Sequence, residues 1–466
     1  MYEPEITGAG SLNRKEILER EIVRWEHSPK RLMQIKGHMY YEGEHDILSR
    51  KRTAIGENGD LEEITNLPNN RLIDNQYAKL VNQKANYLLG QPFIFDGENK
   101  SYIELLKGVF DRKFMKTLKN AGKAALCGGI SWLYPYYTKE GRFAFRMFPG
   151  YEILPFWTDS EHTELVKAVR LYKVVDYSNV SPKLVTKAEI FSKDGISCHS
   201  WDGSKLSDPE SRNPYVLTRG GGVNWEKIPL IPVKYNESET SLLKRVKSIQ
   251  DGINVMLSDF ENNMQEDARN TILVLKNYDG ENLGQFRKNL ATYGAVKVRY
   301  DGDTKGGVDT LEIQLNSDNY KAILEIFKKA IIENGMGYDA KDDRLSGNPN
   351  QMNIQSMYSD IDLDANDMET ELQAAFDLLL WFANVHLANT GKGNFEGENV
   401  NVIFNRDILI NETEAISNCA ASVGILSDET IIAQHPWVDD PQREMERLKK
   451  QREEAEYQPF PATSEE

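Results

Sequence analysis

The residue types that do chemistry are present in this chain, but few stand at the spacings that chemistry requires. Two acidic runs come nearest. Asp301, Asp303, Asp309 and Glu312 fall at ligand positions 1, 3, 9 and 12 of a calcium-binding helix–loop–helix, with Gly306 at the turn position and Val308 between. Lys305 stands where such a loop needs an oxygen ligand, and the flanks read as strands rather than helices. Asp360, Asp362, Asp364 and Glu371 repeat the spacing, but Ala365 occupies the position that needs glycine. This second run reads better as carboxylates in the first turns of a helix, where the dipole favours negative charge. No carboxylate pair is singled out by its spacing, so a metal-dependent DNA-processing enzyme stays open as the alternative reading.

Other reactive signatures fail on inspection. Gly391-Lys392 is followed by Gly393 and lacks the upstream glycine of a phosphate-binding loop. No glycine fingerprint for a dinucleotide follows a strand, and neither a zinc-protease helix motif nor a nucleophile elbow occurs. His27, His38, His45, His162, His199, His386 and His435 are scattered as ordinary core or surface histidines. Cys127, Cys198 and Cys419 are far apart and odd in number, which points to reduced thiols rather than a disulfide framework or zinc site. The expectation is a chain without catalytic residues, metal or cofactor.

Charge narrows the partners. The formal net charge is −16 at pH 7. Proteins that grip nucleic acid neutralise phosphates with a basic face, so charge alone argues against tight DNA binding. A protein past which DNA must slide has the opposite requirement. In the helical part basic residues cluster at Lys244, Arg245 and Lys247, then at Lys321, Lys328 and Lys329. They fit either a solvated helix face or a sparse basic lining that faces a polyanion.

The elements that would position these groups follow from periodicity. Residues 1–26 are polar, with no signal-peptide core, and no run approaches the ~20 apolar residues of a membrane span; a soluble, cytoplasmic protein is expected. Residues 1–236 read as mixed α/β. Helices are predicted over 13–41, 68–90 and 102–126, followed by strands over 130–137, 142–148, 168–174 and 187–191. Residues 237–267 read as one long helix, with Ser238 or Ser241 as its N-cap. Leu242, Val246, Ile249, Ile253, Met256, Phe260 and Met264 step by threes and fours along it, a narrow stripe suited to helices packed side by side. Strand-rich residues 268–318 interrupt, then a helix spans 319–334. Residues 335–352, with Gly335, Gly337, Gly347 and Pro349 among small polar residues, read as a loop. A third long helix covers 353–390, a mostly helical segment covers 391–457, and 458–466 is a disordered tail. The fold class is α+β, mainly helical.

In that order of elements, the sequence resembles the portal proteins of long-tailed (siphovirus) bacteriophages of Gram-positive hosts. The resemblance rests on Asn70-Arg71 with Asp74-Asn75, on Tyr87 to Phe93 (YLLGQPF), and on Phe148-Pro149 with Glu152-Ile153. It continues through Ile228 to Val233 (IPLIPV), Ile249-Gln250-Asp251 with Ser258 to Asn262, and Ser346 to Asn350 leading to Asp360 to Leu363. It ends on Phe404-Asn405-Arg406 with Asn411-Glu412. None of these is a catalytic signature.

The resemblance implies a homo-oligomeric ring, usually of twelve, at one vertex of the phage head, entered non-specifically by double-stranded DNA. It implies terminase large subunit, head–tail adaptor, scaffold and major capsid protein as partners. Localisation would be the virion, with assembly in the host cytoplasm. Residues 1–236 would be the wing, 237–267 and 319–334 the stem, 268–318 the clip, and 391–457 the crown. Residues 335–352 would be a tunnel loop, with Ser346, Gly347, Asn348, Pro349, Asn350, Gln351 and Met352 facing DNA. Lys321, Lys328 and Lys329 would line the stem. Leu242, Val246, Ile249, Ile253 and Phe260 would pack subunits together.

Overall fold

The computed structural model describes residues 14–55, 60–65, 67–159, 162–178, 181–218, 220–267, 272–276, 300–301, 304–305, 307–311, 317–340, 351–406, 412–438 and 441–456. The described residues form an α+β fold that is mainly helical, as the periodicities predict. Its helices are α1 (Lys15–Glu26), α2 (Pro29–Tyr41), α3 (Gln76–Leu89), α4 (Lys100–Val109), α5 (Arg112–Gly128) and α6 (Leu242–Asp267). After these come α7 (Ser317–Asn334), α8 (Gln351–Asn389), α9 (Glu412–Ala421), α10 (Asp428–Ala433) and α11 (Pro441–Glu456). The chain divides into two compact units, one of Met1–His38, Lys79–Arg245 and Ile332–Glu466, the other of Met39–Ala78 and Val246–Ile331.

In the first unit, a five-stranded antiparallel sheet runs in the order Ser211–Asn213, Gly195–Trp201, Lys183–Ser192, Leu165–Asp176, Ile153–Trp157. Leu18 and Ile22 of α1 pack on it against Phe156, Val169, Leu171 and Trp201. A three-stranded sheet pairs Ile130–Tyr137 with Phe143–Pro149 on one edge and Ile231–Lys234 on the other, and α5 lies across it. A knot of rings, Phe93, Phe95, Phe110, Phe114, Phe376 and Phe404, joins α8 to the chain before α4. Edge-to-face pairs of this kind add ~0.5–1.5 kcal/mol each beyond their buried area.

The second unit is built on α6 from Val246 onward and on α7. Gly252 lets the ring of Phe327 approach, since a Cβ there would lie 2.9 Å from Phe327 Cε2. Phe260 meets Tyr320 at 5.1 Å between ring centroids. Strand Ile272–Lys276 pairs with Gly307–Leu311, and Tyr300–Asp301 with Thr304–Lys305.

The structure corrects four predicted helices. The helix predicted over 13–41 breaks at His27-Ser28, because Ser28 Oγ accepts from the Arg31 amide and Pro29 opens α2 at the position that tolerates proline. The one predicted over 102–126 is α4 and α5, divided where Asp111 caps the amides of Lys113 and Phe114. Residues 68–75, predicted helical, are extended, and α3 begins only at Gln76. The long helix starts at Leu242 rather than 237. Ser241, not Ser238, accepts from the Leu243 amide, and its hydroxyl donates to the Cys127 carbonyl at 2.6 Å.

Candidate functional site: the long helices and the segments bound to them

Helix α6 carries a line of polar side chains that its apolar stripe conceals. Gln250, Asn254, Ser258 and Asn262 recur every four residues and are all buried. Three accept a backbone amide from the extended segment that precedes α3, and Gln250 accepts one from the first turn of α3. Asn262 Oδ1 takes the Asn70 amide at 2.7 Å, Ser258 Oγ the Leu72 amide at 2.9 Å, Asn254 Oδ1 the Asp74 amide at 3.1 Å, and Gln250 Oε1 the Tyr77 amide at 2.9 Å. The match is geometric. From Asn70 to Asp74, four helical residues rise about 6.0 Å for every two extended residues, which span about 6.6 Å; the last step, to Tyr77, takes three residues as the chain turns into α3. The helix thus offers the segment a row of acceptors in place of a neighbouring strand, and residues 70–75 stay extended instead of joining α3.

The amides fix the ladder's chemistry. A backbone N–H can only donate, so the acceptor ends of Gln250 and Asn254 must face the segment. Gln250 Nε2 then donates to the Asp74 carbonyl at 2.8 Å and to Asn254 Oδ1 at 3.1 Å. Flanking charges close the same face: Lys247 Nζ reaches both Asp46 and Asp251 at 2.7 Å, and Lys328 Nζ reaches Asp74 at 2.8 Å.

In the first unit, the chain after α7 is held by a buried ionic cluster. Asp364 of α8 accepts from Lys84 Nζ at 2.6 Å, Tyr235 Oη at 2.7 Å and Arg245 Nη1 at 2.9 Å. Lys84 also donates to the Met336 carbonyl at 2.9 Å. Burial pushes the Lys84 ammonium down, and the Asp364 charge opposes that shift. Met336 has φ +49°, a left-handed conformation rare for a residue with a side chain. Next to it, Gln83 Nε2 donates to the Tyr338 carbonyl at 2.7 Å, and the ring of Tyr338 lies 4.5 Å from that of Tyr358. Residues 336–338 are therefore fixed to α3 and α8 by charge, amide and ring.

A second buried carboxylate sits just before α6. Burial works against the charge of Glu239, yet His162 Nδ1 at 2.8 Å, Lys30 Nζ at 2.9 Å and Lys234 Nζ at 3.4 Å hold its pKa down to about 2.

The predicted site residues fare differently. Ser346, Gly347, Asn348, Pro349 and Asn350 lie outside the described residues. Gln351 opens α8, its amide donating to Glu414 Oε2 at 2.9 Å, and Met352 is exposed. Lys321 lies 4.0 Å from Asp318, Lys328 holds Asp74, and Lys329 is exposed on α7. Leu242, Val246 and Ile253 are fully buried within the chain, while Ile249 and Phe260 are partly buried. The polar ladder and Lys84 were missed. Their signals are four polar positions at an unbroken four-residue step, and one lysine between Leu80 and Leu88 on an apolar helix face.

The second acidic run does not assemble as a calcium loop, and most of what would decide the first lies outside the described residues. Of the first, Asp303, Gly306 and Glu312 lie outside the described residues, and its described residues belong to strands. The second is not in the first turns of a helix, because α8 begins at Gln351. Asp362 and Asp364 instead face Arg406, Lys84 and Arg245. Among the described residues, no three His, Cys, Asp or Glu side chains converge as metal ligands.

A profile of the phage portal protein family described as SPP1 Gp6-like matches residues 23–458. The portal protein of Bacillus phage SPP1 is 30% identical over 434 residues, covering 91% of this chain and 84% of that protein. The portal protein of Clostridium phage phiCD119 is 27% identical over 413 residues, covering 86% of this chain and 88% of that protein.

Proposed function

The chain belongs to the SPP1 Gp6-like family of phage portal proteins, and from that premise we propose that it is a structural, non-enzymatic subunit of the ring at one vertex of a phage head. Through that ring, of about twelve copies, a terminase packages double-stranded DNA, and the genome later leaves by the same channel. Head–tail adaptor, scaffold and major capsid protein are the further partners of this reading. The match over 23–458 carries it.

Physical features support the reading. Helix α6, at 26 residues, is about 39 Å long at 1.5 Å per residue, a length suited to a channel wall. Twelve copies at −16 each would give a formal charge near −192, which disfavours tight phosphate binding and leaves DNA able to slide. In this reading Lys321, Lys328 and Lys329 give sparse contacts in the stem. Neutral Ser346, Asn348 and Asn350, with Gly347 and Pro349, give exchangeable contacts at the tunnel loop, and Gln351 and Met352 adjoin it from the first turn of α8 rather than from the loop. Because Leu242, Val246 and Ile253 are buried inside the chain, a neighbour would meet the remaining partly covered stripe at Ile249 and Phe260.

The test is a loop deletion. Shortening residues 341–350 is expected to leave ring assembly intact and to impair DNA packaging or retention. Loss of soluble protein instead would place those residues in the folded core and sink the loop assignment.

A further inference from the structure

The polar ladder on α6 dictates the protonation state of one buried histidine. With the Asn254 carbonyl turned to the Asp74 amide, its Nδ2 points at His45 Nδ1, 2.8 Å away. An amide nitrogen there donates, so Nδ1 must offer a lone pair. The other ring nitrogen, Nε2, lies 3.0 Å from the Tyr40 carbonyl and must donate. His45 is therefore the neutral Nε2–H tautomer, fixed step by step from the backbone amides of Asp74 and Tyr77. The ring stacks on Tyr40 at 4.3 Å between centroids and is buried.

A second proton on His45 would set an N–H against the Asn254 N–H at hydrogen-bond distance. Turning the Asn254 amide to relieve this would orphan the Asp74 amide and Gln250 Nε2 together. We propose that His45 is an acid-sensitive latch that holds residues 70–77, the extended segment and the first turn of α3, on α6 near neutral pH and releases them when protonated.

The charged neighbours do not remove the conflict. Asp46 and Asp251 both favour a cationic ring, but Lys247 bridges the two carboxylates at 2.7 Å each. Tyr40 Oη donates to Asp251 at 2.6 Å, and Asn75 Nδ2 donates to the same Tyr40 carbonyl that His45 uses, at 2.8 Å. Burial outweighs these contacts, and the His45 pKa lies below its ordinary value. The sign follows from linkage. With the bound form of the ring deprotonated, the latch is fully closed above the released-state pKa of about 6.5 and weakens as pH falls below it. One proton taken up on release makes opening more favourable at pH 5.0 than at pH 7.5, by at most about 30-fold, the limit in which the bound ring takes up no proton.

The experiment is amide hydrogen exchange by mass spectrometry on the full-length protein at both pH values, corrected for the chemical exchange rate. Peptides covering 70–77 are expected to lose protection at pH 5.0 in the wild type, by up to about 30-fold, and to lose none in His45→Gln. Unchanged protection in the wild type, or an equal loss in the variant, overturns the latch. Should the variant not fold, exchange at the histidine C2 positions of the wild type decides. A His45 midpoint clearly below 6.5 supports the latch, and a midpoint at or above 6.5 overturns it.

Discussion

Replacing Asp364 by alanine tests the ionic cluster that fixes the chain after α7. The carboxylate takes three hydrogen bonds, from Lys84, Tyr235 and Arg245. Arg245 is 35% exposed and can turn to water, but the Lys84 side chain is 3% exposed and cannot. Removing one partner of such a buried pair leaves an uncompensated charge, at ~3–5 kcal/mol. The unit that contains it has about 340 residues. Unfolding entropy of about 2.1 cal/mol/K per residue then translates the loss into a fall of ~4–7 °C in melting temperature. The assay is calorimetry of wild type and variant at equal protein concentration, which holds assembly constant. The triple replacement Lys84→Met, Tyr235→Phe, Asp364→Leu removes every buried polar partner at once and is expected to recover most of the loss. A fall under ~1.5 °C for Asp364→Ala, or a triple variant as unstable as the single one, would refute the reasoning.

Burial also holds His38 down to about 4, with its Nε2 lacking a hydrogen-bond partner. The unfolded chain takes up this proton near pH 6.5 and the folded one only near 4, so stability is full above 6.5 and falls across that window. The loss is ~2.5 kcal/mol by pH 4.5, and urea midpoints of wild type and His38→Phe at pH 7.5 and 4.5 will measure it. Ser258→Ala removes the acceptor of the Leu72 amide and is expected to weaken the ladder by ~1–3 kcal/mol, read as faster exchange at Leu72 with little change in strand Ile130–Tyr137. Gly129 closes α5 at φ +83°, and a Cβ there would lie 2.0 Å from the Glu239 carbonyl oxygen. Gly129→Ala must therefore move the backbone before α6 as well as bear the ~1 kcal/mol of the left-handed conformation, and its soluble yield should fall sharply.

How much of this was legible in sequence follows the range of each interaction. The long helices were readable because their apolar positions repeat within a few residues, and α6, α7 and α8 lie close to the predicted spans. Strands 130–137 and 143–149 were readable from alternation and the turn between them. Segment 68–75 was not, because its apolar residues suit a helix and its extended form depends on acceptors 180 or more residues away. Asp360, Asp362 and Asp364 read as local dipole partners, whereas the cations that two of them face come from α3, α6 and residue 406. The breaks at Ser28 and Asp111 were local and could have been found from Ser-Pro and from Asp before a new apolar run.

The most direct test of the ring is the mass of the purified protein in solution, with negative-stain images of the same sample. At 53.2 kDa per chain, twelve copies give particles of about 640 kDa with a central hole, the result expected here. A compact dimer that forms no ring at any protein concentration would contradict the account.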